Sequence, residues 1–209
     1  MGADQTAAAR LNDLLASAGL PRLESDLGRR FQEYLDLLMR WNSRLNLTAI
    51  RDEEGILSRH FVESIACARA VPAGVTSFLD FGSGAGFPGL PVALCRPEIS
   101  VTLAESQSKK AAFLQEAVRM LGLKARVYAG RAEMLSAVFD CVGMRAVDRM
   151  EWAVREAVKL VASGGFLVVM TTGDELASVE AVSGTGFEWF RSEPLPLSAD
   201  RLIAMARRM

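Results

Sequence analysis

The sequence has one histidine and three cysteines in 209 residues, and both scarcities exclude chemistry. A lone His60 builds no histidine-rich metal site. Cys67, Cys95 and Cys141 are odd in number, far apart and set among apolar neighbours, which fits reduced, buried thiols and neither a disulfide framework nor a zinc site. No bound metal is expected. No apolar run approaches the ~20 residues of a membrane span, and Met1 to Ala18 is broken by Asp4, Arg10 and Asp13, unlike a signal peptide. A cytoplasmic protein without membrane contact is expected. Charge of one sign is also lacking: the formal net charge is −1, so any nucleic-acid surface must be a local patch.

What is present is an ordinary globular composition, long enough for one sizeable core and a small appendage. Leu11, Leu14, Leu15 and Ala18 have helical spacing that stops at Gly19 and Pro21. A second helix, capped by Ser25 or Asp26, carries Phe31, Leu35, Leu38 and Leu45 on its apolar stripe. Asn46-Leu47-Thr48 breaks the pattern. Asp52, Glu53 and Glu54 then open a third helix running to about Ala70, with Leu57, His60, Phe61, Ser64 and Ala68 on its inward side. His60 reads as a hydrogen-bonded core or interface residue. Pro72-Ala73-Gly74 closes this helical region, residues 1–74, and a second domain is expected over 75–209.

From Val75 short apolar runs alternate with helical stretches, the mark of βαβ units and a mainly parallel sheet. Strands are expected near 77–81, 100–104, 125–129, 139–145 and 165–170. A final antiparallel pair, 186–192 and 201–207, brings the count to seven. The first of these runs, Phe78-Leu79-Asp80-Phe81, leads into Gly82-Ser83-Gly84-Ala85-Gly86-Phe87-Pro88-Gly89, a strand, a bare loop and a helix start. Gly82, Gly84 and Gly86 let the backbone approach a bulky ligand, and the helix N-terminus is expected to offer unpaired N–H groups. The spacing Gly84-x-Gly86-x-x-Gly89 also satisfies the dinucleotide fingerprint. Asp80 decides against it: at the strand lip its carboxylate would repel a pyrophosphate and attract the cationic ammonium of S-adenosylmethionine.

Two more acids follow two more strands. Glu105, after the second, suits a ribose diol and serves S-adenosylmethionine and NAD alike. In Gly130-Arg131-Ala132-Glu133, after the third, a backbone N–H and the carboxylate of Glu133 suit an adenine ring. The stretch expected to face the methyl group is Gly143-Met144-Arg145-Ala146-Val147-Asp148-Arg149. No Asp/Asn-Pro-Pro-aromatic sequence and no Pro-Cys pair occur, which removes the usual devices for methylating an exocyclic amine or attacking a pyrimidine covalently. A ring nitrogen with an in-plane lone pair, such as guanine N7, needs neither. Alignment alone then supplies most of the rate. Arg145 fits as a positioning group beside the methyl path, paired with a carboxylate, with no general base. Lys109, Lys110, Arg149 and Arg201 are candidate phosphate contacts, with Arg207 and Arg208 behind them. Phe87, Trp152 and Trp41 are the aromatics available to hold an extruded base.

These residues resemble one family closely, the RsmG or glucose-inhibited division protein B family of bacterial small-subunit ribosomal RNA guanine-N7 methyltransferases. The resemblance runs through Trp41-Asn42, Asn46-Leu47-Thr48, Arg59-His60, Glu63-Ser64, the glycine loop ending Phe87-Pro88-Gly89, Glu105-Ser106, Lys109-Lys110, Phe113-Leu114, Gly130-Arg131-Ala132-Glu133 and Arg145-Ala146. It implies an α/β fold of the class I S-adenosylmethionine-dependent methyltransferases, Rossmann-like, with helices on both faces of the sheet and the small helical region in front. It also implies methylation of N7 of a guanine in the decoding-region loop of 16S ribosomal RNA, with cofactor contacts at Gly82, Phe87, Ala132, Glu133 and Arg145. The partner would be that RNA or the small ribosomal subunit, and the protein a monomer. This chain departs from the family at Thr172, where lysine is frequent, and at Glu63, which replaces aspartate. Two other functions compete: a non-catalytic RNA-binding or assembly factor that retains the fold, and an NAD-dependent oxidoreductase.

Overall fold

The computed structural model describes residues 5–147 and 149–209, so what the sequence suggests for Met1–Asp4 and for Asp148 lies outside the described residues. Thr6 caps α1 (Ala7–Ser17) by accepting the Ala9 N–H. Helix α2 spans Ser25–Asn42, so the expected caps Ser25 and Asp26 lie inside its first turn, and Glu24 is the capping position without a side-chain bond there. Asp52 caps the next helix through the Gly55 N–H. That helix is not uniform. A single α-turn, α3 (Glu53–Gly55), passes into a π-helical segment, Ile56–Val62, before α4 (Glu63–Ala70). The wider π-turn changes which residues face inward and is frequent near functional sites.

The sheet has seven strands: β1 (Ser77–Phe81), β2 (Ser100–Ala104), β3 (Arg126–Tyr128), β4 (Phe139–Arg145), β5 (Val161–Thr172), β6 (Phe187–Pro194) and β7 (Arg201–Arg208). Their order is β3-β2-β1-β4-β5-β7-β6. Strands β1 to β5 pair in parallel and β7 runs antiparallel to both its neighbours. The connecting helices are α5 (Gly89–Cys95), α6 (Ser108–Met120), α7 (Met150–Ala157) and α8 (Gly173–Ser183). Among the described residues no helix is long and apolar enough to cross a membrane.

Strand alternation sorts side chains onto two faces. Phe78, Cys141, Val168 and Met170 join the cores of α1, α2, α4, α5 and α6. Leu79, Phe81, Val142, Met144, Leu167 and Val169 face the opposite way, with Ala153, Val154 and Val179 of α7 and α8. The same parity assigns the polar strand ends. Asp80 and Arg145 belong to the face of the N-terminal helices, whereas Thr171 belongs to the face of α7 and α8. Strand order reverses between β1 and β4, the place where open α/β sheets bind ligands.

Gly143, at the centre of β4, is in contact with the ring of Phe78, so an added Cβ would overlap that fully buried side chain. Gly143→Ala should therefore cost about 1–3 kcal/mol by overpacking, read as a lower urea midpoint at unchanged slope.

Candidate active site

A cleft of ≈ 930 Å³ opens at the C-terminal tips of β1, β2, β4 and β5. Its floor is the glycine loop, in which Gly82 and Gly84 have φ of 76° and 55°. Positive φ favours glycine, and here it lets bare backbone line the cavity. The loop is pinned from below. Gly82 and Ser83 donate to the Ala104 carbonyl, and Tyr34 of α2, fully buried, donates its hydroxyl to the Ala85 carbonyl at 2.6 Å.

Several expected contacts move. Asp80 does not reach the cleft: it is fully buried behind the loop, where Oδ2 accepts the Gly89 N–H at 3.0 Å and Oδ1 has no partner. Burial raises its pKa to about 7. The physical reason is strand parity, which turns position 80 toward α5. The start of α5 is thus already capped, not open, and the N–H that a pyrophosphate would need is taken. Gly86 also lies off the cleft. With φ of 94° it packs against Leu90 and the Tyr34 hydroxyl, so it serves loop packing and not ligand approach. Pro88 precedes the first helical residue of α5.

Glu105 lines the cleft at 6% exposure, with Oε2 accepting from the Gly84 N–H (2.9 Å) and Oε1 from the Gln107 N–H (2.7 Å). A carboxylate has about four lone-pair sites. Two bonds to backbone fix its orientation and leave acceptor capacity for a diol. Ala132 and Glu133 form a short 3₁₀ turn on the neighbouring wall, with Arg131 3.8 Å from Glu133.

On the opposite wall the expected carboxylate partner of Arg145 is Glu63. Glu63 is fully buried on α4; Oε2 accepts from Arg145 at 2.8 Å, and Oε1 accepts from Arg201 Nε and Nη2 at 2.9 and 2.6 Å. Arg145 also donates to the Arg59 carbonyl at 2.9 Å. His60 Nε2 meets the Thr48 hydroxyl at 2.7 Å and its ring stacks on Phe87, centroids 4.6 Å apart. Burial and the nearby arginines hold its pKa down to about 3, so it is a neutral wall residue.

Lys110, Arg149 and Arg201 line the cleft and Lys109 does not, being exposed on the far side of the first turn of α6. Arg207 and Arg208 bond the Gly164 and Val161 carbonyls at the other end of the sheet, far from the strand tips. Trp41 packs edge-on to Phe113 and donates to Glu116, so it too is away from the site. Thr172 lines the cleft, as do Thr171 and Glu175, which the sequence does not single out. Among the described residues no group of three or more His, Cys, Asp or Glu is placed to hold a metal.

Strand order, the tip cleft and the glycine floor define the class: a Rossmann-like fold of the class I S-adenosylmethionine-dependent methyltransferases. Residues 28–183 match the family model for GidB, rRNA small subunit methyltransferase G. The chain is 41% identical over 201 residues to the ribosomal RNA small subunit methyltransferase G of Stenotrophomonas maltophilia (strain K279a), covering 93% of this chain and 90% of that one. It belongs to this family. Among solved structures, M. jannaschii TYW2 in complex with AdoMet aligns with a TM-score of 0.59 at 13% identity, over 73% of this chain and 78% of that one. The [4+2]-cyclase SpnF aligns with a TM-score of 0.63 at 16% identity, over 88% and 96%. These two likenesses concern the fold alone.

Glu63→Ala would leave two guanidiniums without their shared anion, and urea unfolding should show a loss of about 3–5 kcal/mol. Glu63→Gln should lose less. Asp80 gives a pH signature. Between its unfolded value near 4 and its folded value of about 7, the folded protein keeps a proton that the unfolded chain has released, so this group's stabilisation fades as pH rises through that window. In cofactor-free protein the stability of Asp80→Asn relative to wild type should therefore increase between about pH 5 and 8; His60 is common to both proteins and cancels. A pH-independent difference would contradict the assigned shift.

Proposed function

We propose that this protein transfers a methyl group from S-adenosylmethionine to N7 of a guanine in the decoding-region loop of 16S ribosomal RNA. One observation carries the reading: the segment that matches the family model contains the glycine floor, Glu105, the Ala132–Glu133 wall and Arg145, together in one cleft. The cleft suits the cofactor physically. Its volume is ample for a nucleoside with an amino-acid tail, its floor is bare backbone, and its helix start holds a carboxylate where a dinucleotide would place phosphate.

Glu105 would accept from the ribose hydroxyls. The backbone at Ala132 and the carboxylate of Glu133 would receive the adenine edge, with Gly82 and Gly84 beneath the ligand and Phe87 under the wall that meets its amino-acid end. When bound, the cofactor supplies an electrophilic methyl on a sulfonium, whose departure as a neutral thioether needs no acid. Because N7 holds an in-plane lone pair, the protein has no proton to remove. Its task is alignment and exclusion of water. Arg145 fits that task with its charge tempered by Glu63, since a bare cation beside N7 would oppose the positive charge that develops there. Arg149, Arg201 and Lys110 would meet phosphates.

Residues 1–74 would act as a helical platform for the catalytic residues 75–209, and a single copy holds every residue assigned. The substrate places the protein's work in the cytoplasm.

Labelled methyl transfer to small subunits lacking the modification tests the proposal. Wild type should label one guanine at N7; donor binding without transfer would instead favour an assembly factor. Glu105→Ala should raise the donor Kd roughly tenfold or more, the weight of a charge-assisted hydrogen bond.

A further inference from the structure

A second recess, ≈ 520 Å³, adjoins the main cleft and shares Arg149, Met150, Trp152 and Glu175 with it. We propose that it receives the extruded target base, and that Glu175 identifies this base as guanine by accepting hydrogen bonds from its N1–H and exocyclic 2-amino group. The inference rests on the activity proposed above.

Four observations converge on it. Trp152 offers a half-buried aromatic face at the boundary of the two spaces, with the Arg149 guanidinium 5.2 Å from its ring centre. Enzymes acting on an extruded base hold it on such surfaces. Secondly, the chain after β4 is strained: Ala146 and Arg149 have φ of 46° and 54°, conformations that non-glycine residues keep only under constraint. Thirdly, Glu175 is held in place. Thr171, at 4% exposure on the α7/α8 face of β5, donates its hydroxyl to Glu175 Oε2 at 2.7 Å, and the carboxylate keeps acceptor capacity for further donors.

The fourth is electrostatic. Glu175 is in no ion pair among the described residues, although Arg149 and Arg155 line the same recess. Glu151, the other acid there, accepts from Ser178. Glu175 is exposed in the first turn of α8, where the helix dipole favours its charge, and toward an incoming polyanion it stays favourable only if donors on that ligand meet it. Guanine is the base whose Watson–Crick edge places two donors side by side; adenine and cytosine put a ring acceptor there, and uracil flanks its single donor with carbonyls. Gripping N1 and the 2-amino group leaves N7 on the opposite edge of the purine, free for the methyl.

The test replaces the methylated guanine, once mapped with wild-type enzyme, by inosine, which lacks the 2-amino group, in reconstituted small subunits. Wild type should prefer guanine over inosine by roughly ten- to hundredfold in kcat/KM. Glu175→Ala should lose a similar factor on guanine and show no preference between the two bases, with donor affinity unchanged by calorimetry. Thr171→Val should give a partial loss of the same kind, as expected of a positioning residue. If Glu175→Ala methylates guanine as fast as wild type, or keeps the preference, this inference is overturned while the activity stands. Failure of wild type to methylate any guanine overturns both.

Discussion

The site depends on a single buried carboxylate. Glu63 has no contact with solvent, and an unpaired charge there would be untenable, so its two oxygens require cations from elsewhere in the chain. Arg145 comes from the tip of β4 and Arg201 from the start of β7, 82 and 138 residues away. The three groups meet only when the N-terminal helices, the centre of the sheet and the antiparallel strand β7 are all docked. A pair of this kind is weak evidence of net stability. Its value here is register, because it fixes one guanidinium on the wall of the cleft. One carboxylate between two arginines also leaves the wall net positive, which suits an anionic substrate without a basic chain overall.

The second constraint is what occupies the start of α5. In dinucleotide folds that terminus is reserved for phosphate; here the Asp80 carboxylate bonds the Gly89 N–H and closes it. The same GxGxxG letters therefore serve different ligands according to which group lies beneath them. Fold likeness does not make that distinction, since the aligned structures include a protein named as a cyclase. In the proposed reading that choice falls to Asp80, Glu105 and the backbone between them.

Much of this was legible in the sequence. Strands β1, β2 and β4 have the expected bounds because short apolar runs end at glycine, proline or charge, and the seventh strand follows from the Pro194–Pro196 turn. Strand β5 is longer than its apolar run because Gly164 and Gly165 carry the backbone through an irregular stretch into it. The π-segment was hidden, since side-chain periodicity records apolar faces and not an extra residue per turn. Glu105 was legible as an acid on a strand tip. Asp80 lies beneath the loop and not in the cleft because strand parity, counted from Phe78, puts position 80 on the face of α5. The contacts of Glu63 and Tyr34 join residues far apart in the chain and form only on folding, whereas Thr171, the partner of Glu175, is four residues away.

A structure with S-adenosylmethionine bound is the most direct test of the central claim. The account predicts the ribose on Glu105, the adenine between that residue and Ala132–Glu133, the amino-acid end toward Arg145, and the Arg145–Glu63–Arg201 contacts intact. A donor bound outside the strand tips, or an Arg145 that abandons Glu63 to fill the cleft itself, would contradict it.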